Sequence, residues 1–212
     1  MAKYRLDELE CAVLKRNPLL TSSLKSPLSD SDVKMMLKRA KVVGAIDPVV
    51  ALYTWRNGTT FDQTLMVSKT GFFPEADYQF IDLVKAIEHM RAYRECVCSC
   101  FPKLANLGRR YFPIFWNGAT NWLGLDLGSS AGRVVLIRYF IKEASFKDGQ
   151  YEAEVHETNR PREAYSSFVE FVDDAIRANE NNEQLACFRP VTESVSKSGL
   201  PGYPIDGSDH QL

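Results

Sequence analysis

The first limits come from what the 212-residue sequence lacks. No stretch approaches the roughly 20 consecutive apolar residues that span a bilayer. The short run Val134–Ile137 ends against Arg133 and Arg138. Acidic Asp7 and Glu8 stand where a secretory leader would place its apolar segment. These features predict a cytosolic protein without membrane contact. A dominant charge is also missing: Lys+Arg 26 against Asp+Glu 27 gives a formal net charge of -1. That balance argues against a nucleic-acid binder with a broad basic face, while leaving room for a local patch. The five cysteines, Cys11, Cys96, Cys98, Cys100 and Cys187, are odd in number and lack framework spacing, so free thiols are expected. There are no internal repeats.

What is present is ordinary globular composition, 45% apolar and 25% charged, in a chain long enough to bury a core without staples. Leu6, Leu9, Val13 and Leu14 recur at helical spacing, and Pro18 ends that helix. A Ser/Pro-rich loop leads to Ser29-Asp30-Ser31-Asp32, whose short polar side chains suit a helix N-cap. The following helix is read from Asp32 to about Val43, with Gly44 as its stop. Pro48 opens another through Val49, Leu52 and Tyr53, ending at Asn57-Gly58, a pair suited to a left-handed turn. A strand is expected at Gln63–Val67. Ile81, Val84, Ile87 and Met90 predict a helix from Tyr78 to about Glu95.

Beyond Pro102 the pattern changes to short aromatic or β-branched segments separated by turn signals. Tyr111–Trp116, Trp122–Leu127 and Val134–Phe140 read as an antiparallel meander, with a further strand at Tyr151–His156. Pro113 lacks an N–H, so its strand is expected at an edge or with a bulge. Residues 165–179 read as a closing helix that buries Phe168, Val169, Phe171, Val172 and Ile176. From Arg189 onward the sequence is Ser/Gly/Pro-rich and reads as a partly disordered tail, on which Leu200, Tyr203 and Ile205 could dock. The expected class is α+β, a largely antiparallel meander with helices packed on one face. The division expected is an N-terminal helix and loop (1–29), a main domain (30–188) and a tail (189–212).

Groups able to do chemistry are few. Cys96-X-Cys98-X-Cys100 is too closely spaced for an ordinary zinc site and has no second pair. On a helix Cys96 and Cys100 share a face; on a strand all three would. His89, His156 and His210 form no motif. Glu152 and Glu154 lie on the solvated face of a strand, with Glu157 just beyond. Gly124, Gly128 and Gly132 flank turns and do not open a helix, so they are no phosphate loop. Arg109-Arg110 near Lys103, beside Tyr111 and Phe112, form a small cationic-aromatic patch; an exposed loop before an edge strand is the preferred reading, and contact with an acidic partner the alternative. No catalytic residue, metal or cofactor is expected.

Two stretches carry a family resemblance. The first, Asp47-Pro48-Val49-Val50-Ala51-Leu52-Tyr53-Thr54-Trp55-Arg56-Asn57-Gly58, resembles the opening of the SUKH superfamily: Pro, an apolar helix, Tyr, then Asn-Gly. The second joins Tyr111-Phe112-Pro113-Ile114-Phe115, Trp122-Leu123-Gly124-Leu125-Asp126-Leu127 and Gly132-Arg133-Val134. It is similar to the superfamily's aromatic-Pro-Ile, apolar-Asp-apolar and Gly-X-Val strands. Ala164-Tyr165-Ser166-Ser167-Phe168 resembles its closing helix. The likeness covers roughly 30–180 on the usual boundary error. It departs at Phe112, where the superfamily typically has Trp, and at Arg91–Arg110. Pro48, Tyr53, Asn57, Gly58, Phe112, Pro113, Asp126 and Gly132 are its structural residues, and none is a catalytic group.

The resemblance implies a SUKH-like fold and a non-catalytic module that docks another protein. In bacterial members the partner is a cognate secreted toxin; fungal Smi/Knr-type members scaffold signalling and wall synthesis. The expectation here is an immunity protein, with a regulatory scaffold as the alternative and a thiol- or metal-dependent enzyme using Cys96, Cys98 and Cys100 behind both. Self-association through an edge near Pro113 is a further option, so the chain is taken as a monomer or weak dimer. The partner surface is expected on the sheet and loops at Phe72, Asn117, Asn121, Trp122 and Arg133.

Overall fold

The computed structural model describes residues 4–60, 71–74, 78–100, 110–118, 121–138, 141–147, 150–155 and 161–189. Of these, it gives no side-chain detail for 96–100, 138 and 141–155. The expected strand at Gln63–Val67, the residues Lys103, Arg109, His156 and His210, and the tail from 190 lie outside the described residues.

Helix α1, Leu6–Arg16, buries Leu6, Leu9, Ala12 and Val13, so the N-terminal helix shares the main core. Helix α2, Asp30–Arg39, starts where the Ser29 hydroxyl accepts the Asp32 N–H at 3.1 Å. It stops four residues short of the expected Val43, because the chain turns through positive φ at Lys41 and Gly44. At Gly44 any side chain would strike the Leu127 carbonyl, whose oxygen instead accepts the Ala45 N–H at 2.7 Å. Helix α3, Asp47–Trp55, carries Pro48 in its first turn, where a missing N–H costs nothing. Gly58 then reverses the chain at φ 80.

Tyr78 does not open a helix. Gln79–Phe80 form a short strand, β1, and Asp82 caps helix α4, Leu83–Cys100, by accepting the Lys85 N–H at 2.9 Å. The buried side of α4 is Leu83, Ala86, Ile87, Met90 and Tyr93, while Val84 is 52% exposed. The spacing of three had assigned Val84 inward; the helix keeps 3.6 residues per turn and rotates it out. On the last helix Val169 is also exposed, at the border of the face that buries Phe168, Phe171 and Val172.

Strands β2 (Tyr111–Trp116), β3 (Asn121–Asp126), β4 (Val134–Arg138) and β7 (Arg162–Tyr165) join β1 in one antiparallel sheet of order β1-β2-β3-β4-β7. Strands β5 (Ile141–Lys147) and β6 (Gln150–Val155) pair as a separate hairpin. Pro113 sits at a register shift in β2, which lies between β1 and β3 and is not an edge. The bulge lets both Ile114 and Phe115 join the core with Phe112. Helix α5, Phe168–Asn181, is capped by the Ser167 hydroxyl on the Glu170 N–H at 3.1 Å.

The fold is α+β. One sheet face, with Phe112, Phe115, Leu123, Leu125, Val134 and Leu136, shares a core with residues of helices α1 to α5. Alternation sends Tyr111, Trp122, Val135 and Ile137 to the opposite face, where Tyr93 of α4 joins them in a second cluster. Helix α4 therefore contributes to both clusters, a partition that an arrangement of helices on one face alone had not anticipated.

Candidate interaction surface

At one end of this second face, backbone pairing brings four charged residues into a row. The Leu127 N–H donates to the Arg110 carbonyl and the Asp126 N–H to the Arg133 carbonyl, each at 2.8 Å. Arg110 and Arg133 thus flank Asp126, and Glu163 on β7 lies beyond Arg133. The signs alternate across the sheet: plus, minus, plus, minus.

Asp126 is the fixed centre, only 1% exposed. Arg110 grips it with two parallel hydrogen bonds, Nε to Oδ1 at 2.6 Å and a terminal nitrogen to Oδ2 at 2.7 Å. The Gly128 N–H donates to Oδ1 at 2.9 Å. Burial pushes the Asp126 carboxyl up, but these hydrogen bonds and the Arg110 and Arg133 charges outweigh it and hold the group below the usual carboxylate range. The Arg110 guanidinium also lies 5.8 Å from the Tyr111 ring centroid, within cation–π reach. It is thereby pinned by a buried carboxylate and an aromatic ring while its side chain stays 42% exposed.

Arg133 is held differently. One terminal nitrogen is 4.0 Å from Asp126 Oδ2, and Nε is 3.2 Å from Glu163 Oε2. That second approach is an ion pair at an angle that makes no hydrogen bond, and among the described residues Nε has no hydrogen-bond partner although it is buried. Its side chain is 41% exposed and that of Glu163 51%.

Of the residues expected to meet a partner, Arg133 stands on this surface. Phe72 does not: it is 1% exposed, packed against Phe73, Phe80 and Phe115 at ring distances of 5.2 to 6.1 Å. Trp122 is also covered, with the His89 ring of α4 lying 5.7 Å from it and 4.9 Å from Trp116. Asn117 and Asn121 close the β2–β3 turn, Asn117 Oδ1 accepting the Asn121 N–H at 3.0 Å. Exposure had been inferred for these residues from their turn and aromatic setting; packing from α4 and the core reverses it for Phe72 and Trp122. No family model and no curated protein matches this chain.

The stretches that resembled one superfamily meet in space. A Cβ on Gly132, at φ 66, would lie 2.6 Å from Pro48 Cγ and 3.1 Å from Phe168 Cβ. The Tyr53 ring lies 6.4 Å from that of Phe112, and its hydroxyl donates to the Ile81 carbonyl at 3.1 Å. Asn57 Oδ1 accepts the Leu83 N–H at 3.1 Å. Each of these contacts ties one element to another.

Groups suited to reaction are scattered. In α4, Cys96 and Cys100 are one helical turn apart and Cys98 falls on another side, so the backbone sets no common face for the three. Among the described residues no group of three His, Cys, Asp or Glu is placed to hold a metal ion. Burial pushes the Cys187 thiol up to about 11, away from the thiolate a nucleophile needs. Burial also lowers His89, with Lys85 adding to that and Glu88 opposing it. No helix among the described residues is long and apolar enough to cross a membrane.

Glu163 had no signal in the sequence. Strand β7 is four residues, two of them charged, with no apolar alternation to mark it. Arg110 was marked by its aromatic neighbours, and Asp126 only as a structural residue.

Proposed function

We propose that this chain is a non-catalytic protein-binding module of the SUKH type, acting as an immunity protein that neutralises a cognate secreted toxin. The observation that carries the binding part is the arginine pair. Arg110 and Arg133 flank one buried carboxylate at the end of a sheet, Arg110 fixed by its neighbours, and each is about four-tenths exposed. Arginine beside tyrosine is a composition found at interface hot spots, and a guanidinium held in place, as that of Arg110 is, loses little freedom on binding. The SUKH assignment is supported by the contact of Pro48, Gly132 and Phe168, which draws the resembling stretches into one structural unit. The choice of toxin neutralisation over scaffolding follows the bacterial majority of that superfamily.

The test is capture from the source cell with a tagged chain. Wild type should retain one protein in stoichiometric amount, a secreted protein with a toxic domain. R133E should lose it, and K34E, a reversal on α2, should keep it. Circular dichroism melts would confirm that both variants fold. Retention of the same protein by R133E, or measurable turnover of a substrate by the purified chain, would overturn the proposal.

A further inference from the structure

The two arginines of the charged row are not equivalent. Arg110 is saturated on its inner side by two short, parallel hydrogen bonds to a buried carboxylate, and releasing it would strand Asp126. Arg133 has no such hold. Its nearest carboxylate among the described residues, Glu163, sits on the outermost strand of the sheet, half exposed, at an angle that leaves the Nε donor without a hydrogen bond among those residues. An exposed ion pair of this kind contributes little to stability, so little opposes its opening. A charged donor without an aligned acceptor, by contrast, gains when a better-placed acceptor takes the position that Glu163 vacates, since Nε itself is buried behind it.

We infer that Arg133 is a carboxylate-exchange point: Glu163 is its resident ligand, and an acidic side chain of the partner displaces it on docking. The inference rests on the protein-binding reading and names the partner's chemistry at that surface. Glu163 itself shows which group the position accepts, a carboxylate on a short flexible arm. The row Arg110, Asp126, Arg133, Glu163 asks for the complementary order on the partner, with its acid opposite Arg133. Asp126 keeps the site from being a broad basic patch, which disfavours a polyphosphate backbone. Glu163 then has a second effect: it suppresses adventitious acidic ligands by occupying the guanidinium in the free protein.

The probe is a fluorescein-labelled oligoglutamate peptide, followed by anisotropy at low salt, with oligolysine and a single-stranded oligodeoxynucleotide as comparators. Wild type should bind oligoglutamate weakly and in preference to both. R133A should weaken binding about tenfold, the scale of one truncated hot-spot side chain. R133K should recover only part of that, since an ammonium lacks the planar fork. E163A and E163Q should both strengthen binding, by about three- to tenfold, because the competitor is gone. E163A binding more weakly than wild type, R133A binding equally well, no binding of oligoglutamate at all, or preference for the oligodeoxynucleotide would each overturn the inference. If capture of the cellular partner still depends on Arg133 in those cases, the binding reading stands and only the exchange falls.

Discussion

At the scale of single residues, Asp126 organises the surface and also stabilises the fold. Its carboxylate accepts from Arg110 and from the Gly128 backbone with almost no exposure to water. Removing it strands a backbone donor and loosens a guanidinium. D126A should therefore cost about 2–3 kcal/mol at neutral pH, the upper part of the range for an unsatisfied donor and below that of a fully buried broken pair, because Arg110 remains partly solvated. The pH dependence has a definite sign. The folded carboxyl titrates below its unfolded value of about 3.9, so the stabilisation is complete above that value and is lost as pH falls through the folded one. Urea unfolding of wild type and D126A at pH 7 and at pH 3 should show the gap narrowing in acid. A gap that stays constant would mean the residue acts by shape and not by charge.

At the scale of elements, what was legible in the sequence was what local chemistry decides. The Ser29 cap, Pro48 in the first turn of α3, the Gly58 reversal and strands β2 to β4 all follow from backbone chemistry that a few neighbouring residues fix. Features set by distant packing were not legible. The end of α2 depends on the Leu127 carbonyl approaching Gly44, the inward face of α4 depends on which sheet surface it meets, and β7 exists because β4 offers it an edge. The candidate site divides the same way: Arg110 and Arg133 were visible as residues, but their shared carboxylate and Glu163 came together only through strand pairing. Gly132 tests how the elements join. A side chain there would need positive φ and would overlap Pro48 on α3, so G132A should destabilise the protein by about 2–4 kcal/mol. A thermal melt within one degree of wild type would show that α3 and the β3–β4 turn are not locked at that point.

At the scale of the whole molecule, the five-stranded sheet has two unlike faces. One seals a core to which helices α1 to α5 contribute, and the other is partly closed by α4 and ends in a charged row held by backbone pairing. The larger core lies on the first face and Asp126 anchors the row on the second, so Arg133 can change its outer partner at little structural cost. The most direct test of this division is hydrogen–deuterium exchange on the full chain, alone and with the captured partner. The account predicts slowed exchange at Arg110–Phe112, Gly128–Val135 and Arg162–Ala164 on binding, with α1, α2 and the inner turns of α5 unchanged. Protection confined to α1 and α2, with the charged row exchanging as before, would contradict it.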